Sequence, residues 1–162
     1  MKKLGLCCAS FVNYYLFNYL PNVAGISTGI EWKTHPDNPP KDLHVGMIRA
    51  NSVTYTMEQS NWVGTYNTAR VKGKDYSYVE QDFKDGKLKY NIGDVIILSS
   101  TNYQYHHVGI YAGYYNGQHW IAHSTNTPKG VGVTLSPYDG YSRTSSTGVK
   151  LYVTGIFTPP TN

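Results

Sequence analysis

The side chains best suited to catalysis in this chain are a cysteine near its start and two histidines in its second half. Cys8 stands at the start of a helix predicted over residues 8–20, where unpaired backbone N–H groups and the helix dipole favour negative charge. We therefore expect a lowered pKa for this thiol and a larger fraction of thiolate, the form that attacks a carbonyl. Taken alone, a cysteine near a helix start is more often a small buried apolar residue, so it assigns no function by itself.

The two histidines, His107 and His123, lie on strands predicted on either side of a turn at Asn116 and Gly117. A three-residue loop with a left-handed glycine puts Gly109 opposite His123, which makes the histidines diagonal neighbours on one sheet face. A two-residue turn would shift the register by one residue and place them on opposite faces. The catalytic interpretation needs the first register.

A thiol, one imidazole and a second polar residue that orients this imidazole form the general arrangement of cysteine nucleophiles. In this interpretation His107 accepts the thiol proton and later donates it to the leaving amine. His123 holds the His107 ring in the correct tautomer.

Four segments around these residues occur in a fixed order along the chain: CASFV at 8–12, GDVIIL at 93–98, HVGIYAG at 107–113 and IAHS at 121–124. Together they resemble the NlpC-type family of papain-like peptidoglycan endopeptidases. The resemblance implies an α+β, papain-like fold in which an N-terminal helix carries the nucleophile and packs on a central antiparallel β-sheet. It also implies a cysteine endopeptidase that hydrolyses amide bonds in peptidoglycan stem peptides, such as the bond between D-glutamate and a diamino acid.

The resemblance assigns the nucleophile position to Cys8, the base to His107 and the third polar position to His123, while Cys7 stands where the family usually has Asp. Its implied partner is peptidoglycan or a muropeptide, and it implies no cofactor. Two alternatives stay open. One is related acyl chemistry, as in an amidase, a transamidase or a deamidating toxin, and the other is a non-enzymatic cell-wall binding module that uses the 16 tyrosines, which are also common strand formers.

Several further residues are candidates for binding or polar roles. Tyr111, His119 and Ser124 are candidate substrate-binding residues, and His119, which shares the parity of His123, can equally be a solvated strand residue. Ser124 and Asp139 are candidates for polar roles near the base. The remaining assignments are structural: Asp94 in a turn, His106 on the face opposite His107, and no metal site, since the flanks of His119 and His123 favour a strand over a zinc-binding helix.

Composition restricts the remaining function classes. The net charge is +4 and only 15% of the 162 residues are charged, which argues against a nucleic-acid partner. Two adjacent cysteines cannot join distant segments, so a disulfide scaffold is excluded. The segment MKKLGLCCASFV has a basic and apolar character without a clear cleavage site. We expect a secreted or cell-wall-associated protein of bacterial or phage origin, without stable membrane insertion.

The pattern of elements predicts one domain over residues 1–162, with a long irregular insertion at about 21–91. Pro21 is expected to end the first helix, whose buried stripe is Val12, Leu16, Tyr19 and Leu20. Within the insertion the sequence predicts a loop at 35–42, a strand at 47–56, a helix near 76–84 and a hairpin or turn at 82–90. After it come strands at 94–100, 106–115, 118–124 and 149–157, so helix precedes antiparallel strands.

Overall fold

The computed structural model describes residues 7–33, 36, 50–60, 62–68, 73–101, 106–127 and 130–160. These residues form an α+β fold with antiparallel strand pairing, as the sequence predicts at this coarse level. The elements in chain order are helix α1 (Cys8–Tyr14) with a π-helical continuation (Tyr15–Val23), α2 (Ala50–Glu58), β1 (Val63–Asn67), α3 (Tyr78–Lys84), β2 (Val95–Ser99), β3 (His106–Tyr115), β4 (Gln118–Thr127), β5 (Gly130–Tyr138), β6 (Ser142–Thr144) and β7 (Lys150–Thr158).

The seven strands of the described residues form one strongly curled sheet. Its order is β1-β7-β2-β3-β4-β5, and β6 pairs with β7. Only residues 139–141 connect β5, at one edge, to β6, near the other. Because three residues reach only about 10 Å, the sheet must bend until these strands approach each other. One core cluster fills the inner face of the curl, and a second lies between the outer face and helices α1 and α2.

Helix α1 packs on the outer face of β3 and β4. Its buried stripe includes Val12, Leu16 and Leu20, as predicted, but Tyr19 is 42% exposed and stacks on Tyr15 instead. The expectation that Pro21 ends the helix is wrong, because π-helical turns continue to Val23. The wider turn moves the carbonyl oxygens away from the proline ring, which an α-helical turn would not allow.

The predicted strand at 47–56 is also wrong, since α2 occupies Ala50–Glu58 and residues 47–49 lie outside the described part of the chain. β-Branched residues favour a strand locally, but Val53 and Met57, one helical turn apart, are completely buried in the core cluster beneath α1. The Thr54 hydroxyl donates to the Ala50 carbonyl at 2.9 Å, which satisfies it inside the helix. Tertiary packing therefore decides the conformation of this segment.

Other parts of the predicted insertion have mixed outcomes. The helix near 76–84 is confirmed as α3, and residues 85–86 form a turn after it rather than a hairpin. Strand β1, like β5 and β6 further along, was missing from the sequence prediction. The predicted loop at 35–42 lies outside the described residues except for Pro36. None of the helices in the described ranges is long and apolar enough to cross a bilayer.

In the β3–β4 hairpin, a β-bulge offsets the effect of the turn on strand register, which the sequence did not predict. Its turn is the two-residue type: Asn116 and Gly117 both have positive φ, 52° and 74°, which is the type I′ pattern. Such a turn alone would separate the histidines, but a β-bulge between Tyr111 and Gly113 shifts the register by one residue. Beyond the bulge the pairing restores the register that the catalytic interpretation requires.

Candidate active site

Three side chains on the inner face form a hydrogen-bonded row. His107 Nε2 lies 2.6 Å from His123 Nδ1, and His123 Nε2 lies 2.8 Å from Ser136 Oγ. The prediction that the two histidines meet is therefore confirmed. Gly109 stands between them on the same face, and His123 is completely buried. Ser136 belongs to β5, which pairs with β4 along its whole length.

Two arrangements of protons satisfy both hydrogen bonds of this row, one for each direction of donation. In the arrangement that the catalytic interpretation requires, His107 Nε2–H donates to His123 Nδ1, and His123 Nε2–H donates to the Ser136 oxygen. This leaves His107 Nδ1 unprotonated, so it can accept a proton. His123 and Ser136 then fix both the tautomer and the orientation of the His107 ring.

Both imidazoles are neutral at physiological pH. Burial, with smaller contributions from His123 and Arg143, lowers the pKa of His107 from 6.5 to about 3. Burial and the Arg143 guanidinium lower the pKa of His123 to about 4. A neutral His107 is in the protonation state that a general base needs.

Cys8 begins α1 and lies partly buried against the core cluster of the outer face. The expected lowering of its pKa is wrong, because burial raises the pKa of the thiol to about 11. The backbone N–H of Val108 favours the thiolate and so opposes this rise in pKa. The backbone amides of Ala9 and Cys8 also lower the pKa, but by smaller amounts. Desolvation of the sulfur thus outweighs the start of the helix, and the resting thiol is protonated.

The thiol and the imidazole approach β3 from its two faces. Val108, whose amide interacts with the sulfur, packs under α1, whereas His107 pairs with Leu98 of the inner-face cluster. In the described part of the chain, no hydrogen bond joins Cys8 to His107 directly. Backbone pairing of β3 with β4 ends at Ile110 and Ala122, so the two groups lie beside an unpaired stretch between the strands.

Cys7 has a different role from Cys8. It is exposed and caps α1, with its sulfur accepting from the Ser10 amide at 3.4 Å and lying 3.1 Å from the Ser10 hydroxyl. The chain therefore provides one exposed thiol and one enclosed thiol in adjacent positions, which makes Cys7 a natural control for experiments on Cys8.

The predicted substrate-binding residues do not form one surface. Tyr111 is 5% exposed, and its hydroxyl lies 2.8 Å from His119 Nδ1. His119 is partly exposed among aromatic rings, with Phe83 and Tyr114 at 5.6 and 4.8 Å between centroids. Ser124 is 2% exposed and has the parity of the outer face, opposite His123. Of the three, only His119 is open to solvent, in a cavity of about 480 Å³.

The other polar candidates have structural contacts. Asp139 accepts hydrogen bonds from the Tyr141 and Ser142 amides and the Ser142 hydroxyl, so it shapes the β5–β6 connection rather than holding the base. Asp94 is buried and accepts from the Asn91 amide at 2.8 Å. Among the residues that the structure describes, no three His, Cys, Asp or Glu side chains cluster in a way that could hold a metal ion.

Ser136 and Arg143 are the functional candidates that the sequence reasoning missed. The alternation in GVGVTLSPY at 130–138 is a strand signal, and it could have placed Ser136 on the face opposite the apolar residues. The short β6 carries no comparable signal. Comparison with protein-family models, with curated proteins and with solved structures found no match to this chain.

Proposed function

We propose that this protein is a cysteine peptidase of the NlpC type that hydrolyses amide bonds in peptidoglycan stem peptides. The observation that carries the proposal is the hydrogen-bonded row His107–His123–Ser136 beside the backbone that contacts the Cys8 sulfur. A row that orients a neutral imidazole across one strand from a thiol suits nucleophilic catalysis better than simple packing. A helix that carries the thiol on an antiparallel sheet is in keeping with a papain-like arrangement.

The proposed reaction requires the thiol and His107 Nδ1, which lie on opposite faces of β3, to approach each other through the unpaired stretch between β3 and β4. Because the resting thiol and imidazole are both neutral, proton transfer accompanies attack on the substrate rather than preceding it. The sulfur bonds to the scissile carbonyl carbon as its proton moves to Nδ1. The Cys8 backbone N–H, at the first position of the helix, can donate to the oxygen that becomes negative.

Collapse of this intermediate breaks the carbon–nitrogen bond, and the His107 imidazolium gives its proton to the leaving amine. Water then attacks the thioester on Cys8, and His107 again acts as the base. This hydrolysis releases the carboxylic acid product and regenerates the free thiol. His123 stays neutral throughout and stabilises the transient imidazolium by accepting a charge-assisted hydrogen bond. Such an enzyme acts at the bacterial cell wall, as a secreted or cell-wall-associated protein.

Digestion of purified peptidoglycan, followed by mass spectrometry of the soluble products, tests this proposal. We expect the wild-type protein and Cys7→Ala to release the same fragments, because Cys7 is an exposed helix cap. Cys8→Ala should release none while keeping the wild-type circular dichroism spectrum. Release of fragments by Cys8→Ala at the wild-type rate would refute the proposal.

The masses of the fragments also separate the proposed peptidase from its closest alternative. A peptidase leaves new amino and carboxyl ends within the stem peptide, whereas an amidase releases the whole stem from the sugar. Cys8-dependent release of complete stem peptides would replace the endopeptidase by the amidase while keeping the same catalytic residues.

A further inference from the structure

A cavity of about 490 Å³ lies in the seam where the curled sheet brings β5 and β6 together. Its lining includes Ser136 from β5, Arg143 from β6 and Lys150 from β7. The carboxylate of Asp139 also lines it, but both of its oxygens already accept hydrogen bonds from the β5–β6 connection. The cavity therefore offers two cations and only one anion, whose oxygens are already engaged.

Arg143 is the unusual residue of this cavity. It is half-buried, and burial lowers the pKa of its guanidinium. Within the described ranges the guanidinium has no ion pair and no hydrogen bond, although carboxylates elsewhere pair with exposed lysines. A partly desolvated cation without a counter-charge destabilises a fold, and a planar guanidinium with free N–H groups matches the two oxygens of a carboxylate.

The cavity also touches the end of the histidine row. Ser136 lines it, and its Oγ lies 2.8 Å from His123 Nε2. In the arrangement in which His123 Nε2–H donates to Ser136, the hydroxyl proton of Ser136 is available to donate into the cavity. The Arg143 charge reaches both histidines, since it lowers the pKa of each. An anion beside Arg143 would offset this effect.

We propose that this cavity is an oxyanion site in which Arg143 and the Ser136 hydroxyl bind a carboxylate group. An occupied site gives Arg143 its missing counter-charge, and it connects the bound anion to His107 through Ser136 and His123. The identity of the carboxylate rests on the proposed function: in a peptidase for cell-wall stems, it belongs to a peptide ligand. The anion site itself does not depend on the reactivity of Cys8.

The test uses Cys8→Ala protein, so that no turnover takes place, and follows the histidine ring nitrogens by ¹⁵N NMR at pH 7. Acetate is the first probe and inorganic phosphate the second, at constant ionic strength. The matched control variant is Lys87→Gln, which removes one positive charge at an exposed lysine paired with Asp82 at 3.7 Å. The test variant is Arg143→Gln, with thermal unfolding as the check that each variant is folded.

We expect acetate to shift the signals of both histidines in the row with saturation, equally in Cys8→Ala and in Cys8→Ala/Lys87→Gln. Addition of Arg143→Gln should weaken the apparent affinity at least tenfold. Absence of saturable shifts, or equal shifts with and without Arg143, overturns the site. Saturation by phosphate but not by acetate overturns the carboxylate assignment. A Cys8→Ala protein that still digests peptidoglycan would refute the proposed function without changing these outcomes.

Discussion

Substitution of Gly109 by alanine should be one of the most disruptive single-methyl changes in the sheet. Gly109 lies between the two histidines on the inner face of β3, so the space above it is shared with its neighbours on β4. A Cβ atom at this position would lie 2.6 and 2.7 Å from the Ile121 side chain and 3.0 Å from the Ala122 carbonyl oxygen. Ile121 is completely buried, so its side chain has no open space to move into.

The magnitude follows from the cost of overpacking. An extra methyl group in a closely packed core typically costs about 1–3 kcal/mol. For a domain of this size, that corresponds to a fall in Tm of roughly 2–12 °C. Relief of the contact by rotation of Ile121 would move its side chain toward the histidine pair, so we also expect a smaller kcat.

Differential scanning calorimetry of three variants measures this effect. Gly132→Ala is the matched control, because Gly132 lies in β5 and a Cβ there meets nothing within 4 Å; its Tm should stay within about 2 °C of wild type. Ile121→Val removes the atom that makes the 2.6 Å contact and should recover part of the loss in the Gly109→Ala background. Equal Tm values for Gly109→Ala and Gly132→Ala would refute the packing argument.

Three further predictions concern ionisable groups. Burial raises the pKa of the Cys8 thiol to about 11, so iodoacetamide should modify exposed Cys7 before Cys8 at pH 7. The rate of modification at Cys8 should rise about tenfold per pH unit below that pKa. Peptide mapping by mass spectrometry measures both rates, and faster modification of Cys8 than of Cys7 at pH 7 would contradict the expectation. On folding, the pKa of His107 falls from 6.5 to about 3 and that of His123 to about 4, so below about pH 6.5 the unfolded chain binds more protons than the folded one. The free energy of unfolding should therefore fall as the pH decreases from about 6.5 toward 3, by on the order of several kcal/mol at pH 4. Urea unfolding at several pH values should show a smaller fall for His123→Gln, and an equal dependence on pH in both proteins would argue against burial of a neutral His123 ring. Arg143→Gln removes a half-buried cation without a partner and should raise the free energy of unfolding by about 1 kcal/mol; urea unfolding that shows a loss instead would mean that the guanidinium stabilises the fold.

The strands that carry the histidines could be predicted because their signals are local. HHVGIYAGYY and QHWIAHS contain β-branched and aromatic residues on both sides of an Asn-Gly turn, and β3 and β4 follow these segments. The prediction that His107 and His123 are in contact was also correct, but the backbone geometry that brings them together differs from the predicted one. The prediction assumed a three-residue loop, whereas the protein combines a two-residue turn with a bulge. Bulges depend on packing across the sheet, which a short stretch of sequence does not contain.

The failures involve properties that depend on distant contacts. Residues 50–56 have strand-like composition, but burial of Val53 and Met57 under α1 makes this segment helical. The helix start alone suggested an acidic thiol at Cys8, but enclosure by the core raises its pKa. Arg143 lies near the histidines only because the sheet curls and brings β6 beside β5, whereas Ser136 reaches His123 directly from the neighbouring strand β5. Curvature of the whole sheet cannot be inferred from local patterns.

The most direct measurement of the central claim is an intact-protein mass spectrum, acid-quenched during turnover of a purified muropeptide. If the Cys8 sulfur attacks the scissile carbonyl with His107 as its base, the spectrum contains protein increased by the mass of the acyl fragment, and peptide mapping places this mass on Cys8. The adduct should be absent in Cys8→Ala and unchanged in Cys7→Ala. Muropeptide cleavage at the wild-type rate by Cys8→Ala, with no adduct in either protein, would contradict the account.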